Sequence, residues 1–188
     1  MAAKAPAHAP TKIAYATFAG LLDETAVQCI FKSVAIFTQK RTQHLHLLLQ
    51  SDGGVVGNGV SLYNFFKNLP LDLTVYNTGT VWSAAVLAYL GAKHRKTSAH
   101  ATFLLHRTTN TLQYGREAQY RAVTENLALD DRRIEAILRN HVFLSADKWA
   151  GLNTVGSLLL TAEESIACGI AEELGEFCPP LGSEVLAI

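Results

Sequence analysis

The stretch Leu45-His-Leu-Leu-Leu-Gln-Ser-Asp-Gly-Gly54 decides the fold of this chain. Residues 45–49 form a short apolar run that only His46 interrupts, and the run stops at a polar, glycine-rich turn. A brief apolar run that ends this sharply is typical of a strand buried in a parallel sheet. Residues 59–66 then return to helical spacing of apolar side chains. The stretch therefore predicts a strand, a tight turn and a helix.

The same alternation of strand and helix continues on both sides of this stretch. Further strands are predicted at residues 13–18, 71–76 and 102–105, helices at residues 25–39 and 83–90, and a last helix and strand within residues 161–174. This order predicts an α/β fold with a mainly parallel sheet and right-handed crossovers. Residues 115–140 are charged and contain few helix breakers, which predicts a long exposed helix of a kind that often carries subunit contacts.

The length of 188 residues fits one ordinary domain. We expect a flexible tail at residues 1–12, a single domain at residues 13–178 and a second tail at residues 179–188, which begins at Pro179-Pro180. The sequence contains no internal repeat and no linker between domains. These features predict one domain with a helical projection.

The composition excludes several classes of protein. Hydrophobic residues make up 49% of the chain and charged residues 17%, so the chain is too apolar to be disordered, and another subunit is expected to cover some apolar surface. Lysine and arginine balance aspartate and glutamate, which disfavours a nucleic-acid binder or a protein held on anionic lipid. The longest apolar run, residues 81–92, is shorter than the ~20 residues of a membrane span. We expect a cytoplasmic protein.

The cysteines and histidines give no sign of a disulfide framework or a metal site. Cys29, Cys168 and Cys178 form no CxxC pair, and we expect buried, reduced thiols. His44 and His46 lie on one predicted strand, but no carboxylate or thiol stands at ligand spacing beside them. We therefore expect no metal and no cofactor.

A cluster of glycines follows the strand at residues 45–49 and opens the next helix. Gly53, Gly54, Gly57 and Gly59 allow three interpretations. They could permit a tight turn and close helix–strand packing. They could cradle a phosphate, although Val60 stands where a P-loop needs a lysine. They could also expose backbone N–H groups to a developing negative oxygen, as in an oxyanion hole.

Ser83 and His106 stand at the ends of two other predicted strands. Ser83 is either a helix N-cap or a nucleophile on a sharp strand-to-helix turn. A single histidine at a strand end, such as His106, is more often structural. Because the carboxyl ends of parallel strands meet at one edge of a sheet, Ser83, His106 and the Gly53-Gly54 turn are expected to converge. Together they predict a nucleophile, a base and an oxyanion hole.

Five segments resemble the proteolytic subunit of the Clp protease family. Ser51-Asp-Gly-Gly-Val-Val56 is similar to its Ser-Pro-Gly-Gly-Val segment, and Gly79-Thr-Val-Trp-Ser-Ala84 to its Gly-x-Ala-Ser-Met nucleophile segment. Gly91-Ala-Lys93 matches a Gly-Ala-Lys of the family, and Phe103-Leu-Leu-His106 resembles its Val-Met-Ile-His base segment. Leu160-Thr-Ala-Glu-Glu-Ser-Ile-Ala-Cys-Gly169 resembles its Leu-Ser-x-x-Glu-Ala-x-x-x-Gly helix. The segments occur in the family's order and with nearly its spacing.

The resemblance implies a serine peptidase with the Clp/crotonase fold, a superhelical βαβ repeat with a projecting handle helix, here in a handle region at about residues 107–150. It implies Ser83 as the nucleophile and His106 as the general base. The backbone N–H groups of Gly54 and Ala84 would form the oxyanion hole. It also implies a homo-oligomeric ring with enclosed active sites, peptide or unfolded polypeptide substrates, and an AAA+ unfoldase as partner.

The chain departs from the family's pattern in three places. The family's triad aspartate falls within residues 153–160, which contain no carboxylate. Asn153, Ser157 or a backbone carbonyl are therefore the candidates for orienting His106. The hairpin that meets the unfoldase in the family has no counterpart among the residues before Ile13, which leaves that partner open. The charged cluster that links rings also falls within the altered stretch, so ring stacking is expected to differ.

Two further functions stay open at this point. One is a degenerate relative that keeps the fold and assembles, for example in mixed rings, but does not cleave. The other is a crotonase-type acyl-CoA enzyme, which would turn the same backbone N–H groups toward a thioester enolate and leave Ser83 and His106 idle. A probe for an activated serine separates a peptidase from the first, and a CoA-binding assay separates it from the second.

Overall fold

A parallel sheet of six strands forms the centre of the part of the protein that the structure describes. The structure is a computed structural model and describes residues 11–109, 115–154 and 156–188. Its elements in chain order are β1 (Ile13–Ala19), α1 (Glu24–Gln39), β2 (His44–Gln50), α2 (Val56–Lys67), β3 (Asp72–Asn77), β4 (Thr80–Trp82), α3 (Ala84–Leu90), β5 (His94–Thr97), β6 (Thr102–His106), α4 (Glu117–His141), α5 (Ala146–Thr154), β7 (Ser157–Leu160), α6 (Ala162–Ala167), β8 (Glu173–Leu174) and β9 (Val185–Ala187). The predicted strands and helices are present, and β4, β5, α5, β7 and β9 are additional elements that the sequence did not predict.

The strands form two sheets rather than one. The six-stranded sheet has the order β8-β5-β3-β2-β1-β9, and all its neighbouring pairs are parallel. A second sheet has the order β4-β6-β7, in which β4 and β6 are parallel and β6 and β7 antiparallel. The two sheets meet at Ser51, whose N–H donates to the Thr80 carbonyl at 3.0 Å and whose carbonyl accepts from the Trp82 N–H at 2.9 Å. This junction brings the end of β2 against β4.

Strand β2 and helix α1 show how the sequence builds the core. Leu45, Leu47 and Leu49 alternate along β2 and are buried, while the residues between them are half-buried on the opposite face. On that face, His46 Nδ1 lies 2.9 Å from the Tyr76 hydroxyl. Asp23 begins α1 by accepting a hydrogen bond from the Ala26 N–H at 2.8 Å, as an N-cap residue does. The buried residues of α1 form one stripe along the helix and are Val27, Ile30, Val34 and Phe37.

Helix α4 is the long charged helix that the sequence predicts, and it begins at Glu117. Its last turns reach the core, where Ile137 and Leu138 are buried. Tyr120 and Leu129 lie earlier in the helix and leave about half of their surface exposed, at 46% and 48%. Across the described residues, no helix combines the length and the apolar character that a membrane crossing requires.

The end of the chain and two of the cysteines differ from the expectations. Residues 185–187, expected to belong to a tail, form β9 and pair in parallel with β1, because the edge of β1 offers unpaired backbone groups. Residues 1–10 of the expected N-terminal tail lie outside the described residues. All three cysteines are free, and Cys168 is buried as expected. Cys29 and Cys178 are exposed, since Cys29 lies off the buried stripe of α1 and Cys178 lies in the irregular segment before β9.

Acidification is expected to destabilise the fold through His141, at the end of α4. Its Nε2 lies 2.9 Å from the Tyr63 hydroxyl, and burial, followed by the charges of Arg95 and Lys67, holds the pKa of His141 below its usual value of 6.5. As the pH falls through 6.5, the unfolded chain binds a proton there more readily than the folded chain, so the free energy of unfolding falls. His141→Gln keeps an acceptor but does not titrate, and should lose less stability on acidification.

The measurement is urea unfolding of wild type and His141→Gln at about pH 7.5 and about pH 5.5. We expect a smaller drop in unfolding free energy between the two pH values for the variant. His46, whose pKa burial also lowers, titrates in both proteins and cancels from the comparison. An equal drop in both proteins would show that His141 does not contribute to the pH dependence.

Candidate active site

Ser83 lies at the junction between β4 and α3, with no residue of loop on either side. Its φ of 55° and ψ of −130° are unusual for a residue other than glycine. The Ser83 N–H donates to the Leu104 carbonyl on β6 at 2.8 Å, which extends the pairing of β4 with β6 by one residue. Neighbouring structure thus imposes a strained backbone at Ser83. Such strain is found most often at sites with a function.

The side chain of Ser83 does not act as an N-cap. It precedes the first residue of α3, but within the described part of the chain it accepts no hydrogen bond from the N–H groups of that helix. An N-cap serine normally accepts one from the second or third helical residue. Stabilisation of α3 by the Ser83 hydroxyl therefore does not account for a serine at this position.

The Gly53-Gly54 turn packs directly against Ser83. Gly53 has φ +100°, and a Cβ added there would lie 2.6 Å from Ser83 Cβ and 2.9 Å from the Trp82 carbonyl oxygen. At Gly54, with φ +154°, an added Cβ would lie 2.6 Å from the Leu22 carbonyl oxygen. Both the backbone conformation and the space therefore require glycine. The close-packing interpretation therefore holds for Gly53 and Gly54.

Two backbone N–H groups beside Ser83 have no acceptor within the described residues. They belong to Gly54 and Ala84, the pair expected to form the oxyanion hole. The Ala84 nitrogen would lie 3.1 Å from a Cβ at Gly53, so the turn and the start of α3 are in contact. Gly59 lets α2 approach the start of α3, because a Cβ added there would collide with the Ala84 carbonyl oxygen. Donors of this kind can stabilise a negative oxygen.

His106 is the last residue of β6, and a backbone carbonyl orients its ring. Its Nδ1 lies 2.6 Å from the carbonyl oxygen of Arg107. Because a carbonyl only accepts, Nδ1 carries the proton that it donates in this bond. The neutral imidazole then keeps a lone pair on Nε2. The ring is therefore held in the tautomer that a general base requires.

The side chains of Asn153 and Ser157, both candidates for orienting His106, form no hydrogen bond with its ring in the described structure. Asn153 Oδ1 accepts a hydrogen bond from the Arg107 guanidinium. Ser157 lies directly across from His106 in the pairing of β6 with β7, but no hydrogen bond joins the two side chains in the described structure. Of the three candidates, the backbone carbonyl is the one that contacts the ring, because Arg107 continues from the strand with its N–H bonded to the Gly156 carbonyl at 3.0 Å.

A cavity of about 520 Å³ brings Ser83, His106 and Gly54 together. No direct hydrogen bond joins Ser83 to His106 in the described structure, which is common before substrate binds. The wall is mainly apolar and includes Leu22, Val56, Val86, Leu87, Leu127 and Ile134. Ser83, His106 and Gly54 thus line one cavity, but they meet at the junction of the two sheets and not at the edge of a single sheet.

Helix α4 also lines this cavity, which the sequence does not predict. Asn126, Leu127 and Asp130 on α4 line it, together with Thr108 on the segment that follows His106. On a helix that carries charge along its whole length, nothing in the sequence distinguishes a cavity residue from one that faces solvent. Across the described ranges, no group of three or more His, Cys, Asp or Glu side chains is placed to hold a metal ion.

Comparisons with known proteins agree with this architecture. The family model for Clp protease matches residues 16–177, which is most of the chain. The structure is similar to that of a point mutant of ClpP1 from Listeria monocytogenes, with a TM-score of 0.72 and 18% sequence identity, and the match covers 89% of this chain and 91% of that one. The structural likeness confirms the α/β fold that the resemblance implied. Given the length of the sequence match, the chain belongs to the Clp protease family.

Proposed function

We propose that the protein is a serine peptidase in which Ser83 attacks the scissile carbonyl and His106 is the base. The observation that carries the proposal is the shared cavity. It places the strained serine, a histidine with a hydrogen-bonded Nδ1–H and the turn at Gly54 around one apolar space. A nucleophile, an oriented base and unpaired N–H donors are the parts that acyl transfer needs. Membership of the Clp protease family supports peptides as the substrates.

The first half of the reaction forms an acyl-enzyme. His106 Nε2 takes the proton of Ser83 Oγ as the Oγ–C bond forms, and the carbonyl electrons move onto oxygen. The N–H groups of Gly54 and Ala84 donate to this oxyanion. When the tetrahedral intermediate collapses, the C=O bond forms again, the C–N bond breaks, and His106 gives its proton to the leaving amine.

Water completes the cycle. His106 Nε2 takes a proton from water as its oxygen attacks the ester carbon, and a second tetrahedral intermediate forms in the same oxyanion hole. Its collapse breaks the Oγ–C bond and returns a proton to Ser83. The Arg107 carbonyl holds the ring throughout, because it accepts the Nδ1–H in both the neutral and the protonated state of His106.

The apolar wall of the cavity favours peptides or unfolded segments that can insert an apolar side chain beside the scissile bond. A folded substrate would have to expose such a segment first, and whether an unfoldase does this for the protein is left open, because the residues before Ile13 contain no counterpart of the family's hairpin. The proposal also includes a homo-oligomeric ring, which the family resemblance implies, and a cytoplasmic location, which the sequence composition favours.

A test of the proposed assembly uses the exposed apolar residues of α4. Leu129 is 48% exposed, and its burial between subunits would remove apolar surface from water. We expect wild type to sediment as an oligomer at micromolar concentration, and Leu129→Arg to shift it toward smaller species. Leu181→Arg, which changes an exposed leucine in the segment before β9, is the control and should sediment as wild type does. A wild-type monomer would contradict the proposed ring.

The test of the proposed activity is labelling by a fluorophosphonate probe, read by intact mass, followed by peptide hydrolysis. One adduct on Ser83 in wild type, lost in His106→Ala, is expected because the probe requires an activated serine. The absence of an adduct in a folded oligomer would overturn the proposed peptidase.

A second candidate is the degenerate subunit that assembles without cleaving. The observation that favours it is the group on His106 Nδ1, which is a carbonyl instead of a carboxylate. A full negative charge stabilises the imidazolium that forms in the reaction, and removing it from a triad can cost about 10⁴-fold in rate. If the fluorophosphonate probe does not label folded wild type, the degenerate subunit becomes the favoured function.

A further inference from the structure

A chain of hydrogen bonds links His106 to a carboxylate on α4. It begins with His106 Nδ1–H, which donates to the Arg107 carbonyl oxygen at 2.6 Å. The peptide group that contains this carbonyl also contains the N–H of Thr108. That N–H donates to Oδ1 of Asp131 at 2.9 Å. A single peptide group therefore stands between the imidazole and the carboxylate.

The physical chemistry of the peptide group makes this link effective. The group is planar, and its C=O and N–H point in opposite directions, so an acceptor on the N–H fixes the direction of the C=O. A carboxylate that accepts from the N–H also pushes electron density of the peptide group onto its carbonyl oxygen, since hydrogen bonds in series polarise one another. Asp131 thus both aims the Arg107 carbonyl at His106 and strengthens it as an acceptor.

Asp131 is itself held in place. Its Oδ1 also accepts from the Thr108 hydroxyl at 2.8 Å, and its Oδ2 lies 3.8 Å from the Arg107 guanidinium. The same guanidinium lies 3.6 Å from Glu135 and donates to Asn153. These contacts attach the segment after His106 to α4 and leave the Asp131 side chain only 26% exposed. The carboxylate is therefore oriented before any substrate arrives.

We propose that Asp131 is a positioning residue for His106, acting through the Arg107–Thr108 peptide in the place of a triad carboxylate. The kinetic part of this inference rests on the proposed peptidase function. Its structural part, the tautomer of His106, does not. Asp131 fixes the proton on Nδ1, and its negative charge stabilises the imidazolium across one peptide group. Asp131 on α4 would thus perform the role that a triad aspartate within residues 153–160 performs in the family.

The kinetic test compares Asp131→Asn and Asp131→Ala with wild type. Asparagine keeps an acceptor for Thr108 but loses the charge, whereas alanine loses both. We expect peptide kcat to fall about tenfold for Asp131→Asn and about 100-fold for Asp131→Ala, with KM unchanged, because base alignment acts on the reaction step. Arg132→Ala is the matched control, since Arg132 is the next residue of α4 and is exposed, and its kcat should equal that of wild type.

A spectroscopic test reads the tautomer directly. In protein labelled with ¹⁵N-histidine, the His106 signals are assigned by their loss in His106→Ala. We expect Nδ1 protonated in wild type and Arg132→Ala, and a mixture of tautomers in Asp131→Ala. Thermal unfolding and sedimentation of each variant show whether it has kept its fold and assembly.

The outcomes separate the two proposals. If wild type neither labels nor hydrolyses, the peptidase function fails, and the tautomer measurement alone decides the role of Asp131. If wild type is active but Asp131→Ala has wild-type kcat and the wild-type tautomer, the positioning role is wrong and the peptidase stands. A loss of kcat in Asp131→Ala with an unchanged tautomer also overturns it. If Asp131→Ala fails to fold, Asp131→Asn decides by the same two readouts.

Discussion

Ser83→Ala is expected to abolish labelling by a fluorophosphonate and to lower kcat for peptide hydrolysis by on the order of 10⁶-fold, because no other group can form the acyl-enzyme. Assembly should be unaffected, since the Ser83 hydroxyl caps no helix and alanine tolerates the backbone there about as well as serine does. Intact mass reports the adduct, and sedimentation velocity reports the assembly.

The residual activity of this variant is informative in itself. Hydrolysis at the wild-type rate would exclude Ser83 as the nucleophile. A change in sedimentation together with the loss of labelling would mean that the serine serves the fold, and the activity data could then not be assigned to chemistry. Loss of the adduct in an intact oligomer is the result that the proposed peptidase requires.

Gly53→Ala is expected to give the second largest effect. The new methyl group would lie 2.6 Å from Ser83 Cβ, and the residue would have to keep φ +100°. The turn or the serine must therefore shift, and misplacement of a reacting group by about 1 Å can cost about 100-fold in rate. We expect kcat to fall by that amount, with a loss of unfolding free energy of about 1–3 kcal/mol from backbone strain.

Gly57→Ala is the matched control for this substitution. Gly57 lies in the first turn of α2, close to Gly53 in the chain, and an added Cβ would have no neighbour within 4 Å. Alanine favours a helix over glycine by up to about 1 kcal/mol, so this variant should be as stable as wild type or more so, with unchanged kcat. Equal kcat values for Gly53→Ala and wild type would contradict the tight packing of the turn against Ser83.

Part of the fold followed from local patterns in the sequence. The apolar run at residues 45–49 predicts β2, and the run of charge at residues 115–140 predicts α4. Both are local signals, because the spacing of apolar residues directly reflects the period of a strand or a helix. The division into two sheets was not predictable in this way. It depends on the pairing of Ser51 with Thr80 and Trp82, which are distant in the chain.

The candidate site was predictable only in part. Ser83, His106 and Gly54 were proposed from their positions at the ends of elements and from the family resemblance, and the structure brings them to one cavity. Their catalytic roles stay predictions. Asp131 could not be singled out, because the neighbouring charged residues of α4 give the same signal in sequence. What distinguishes it is where α4 docks, and sequence spacing does not report that.

By itself, the sequence determined the α/β class, the family and the residues from which a site could be built. The period of apolar residues, the turn residues and the motif spacing can each be recognised within a short segment of chain. Tertiary structure decided how His106 is oriented. A hydrogen bond needs its donor and acceptor within about 3 Å, and only the folded chain brings the Thr108 N–H and the Asp131 carboxylate to 2.9 Å. The missing triad aspartate is visible in the sequence, but the carboxylate that we propose in its place is visible only in the fold.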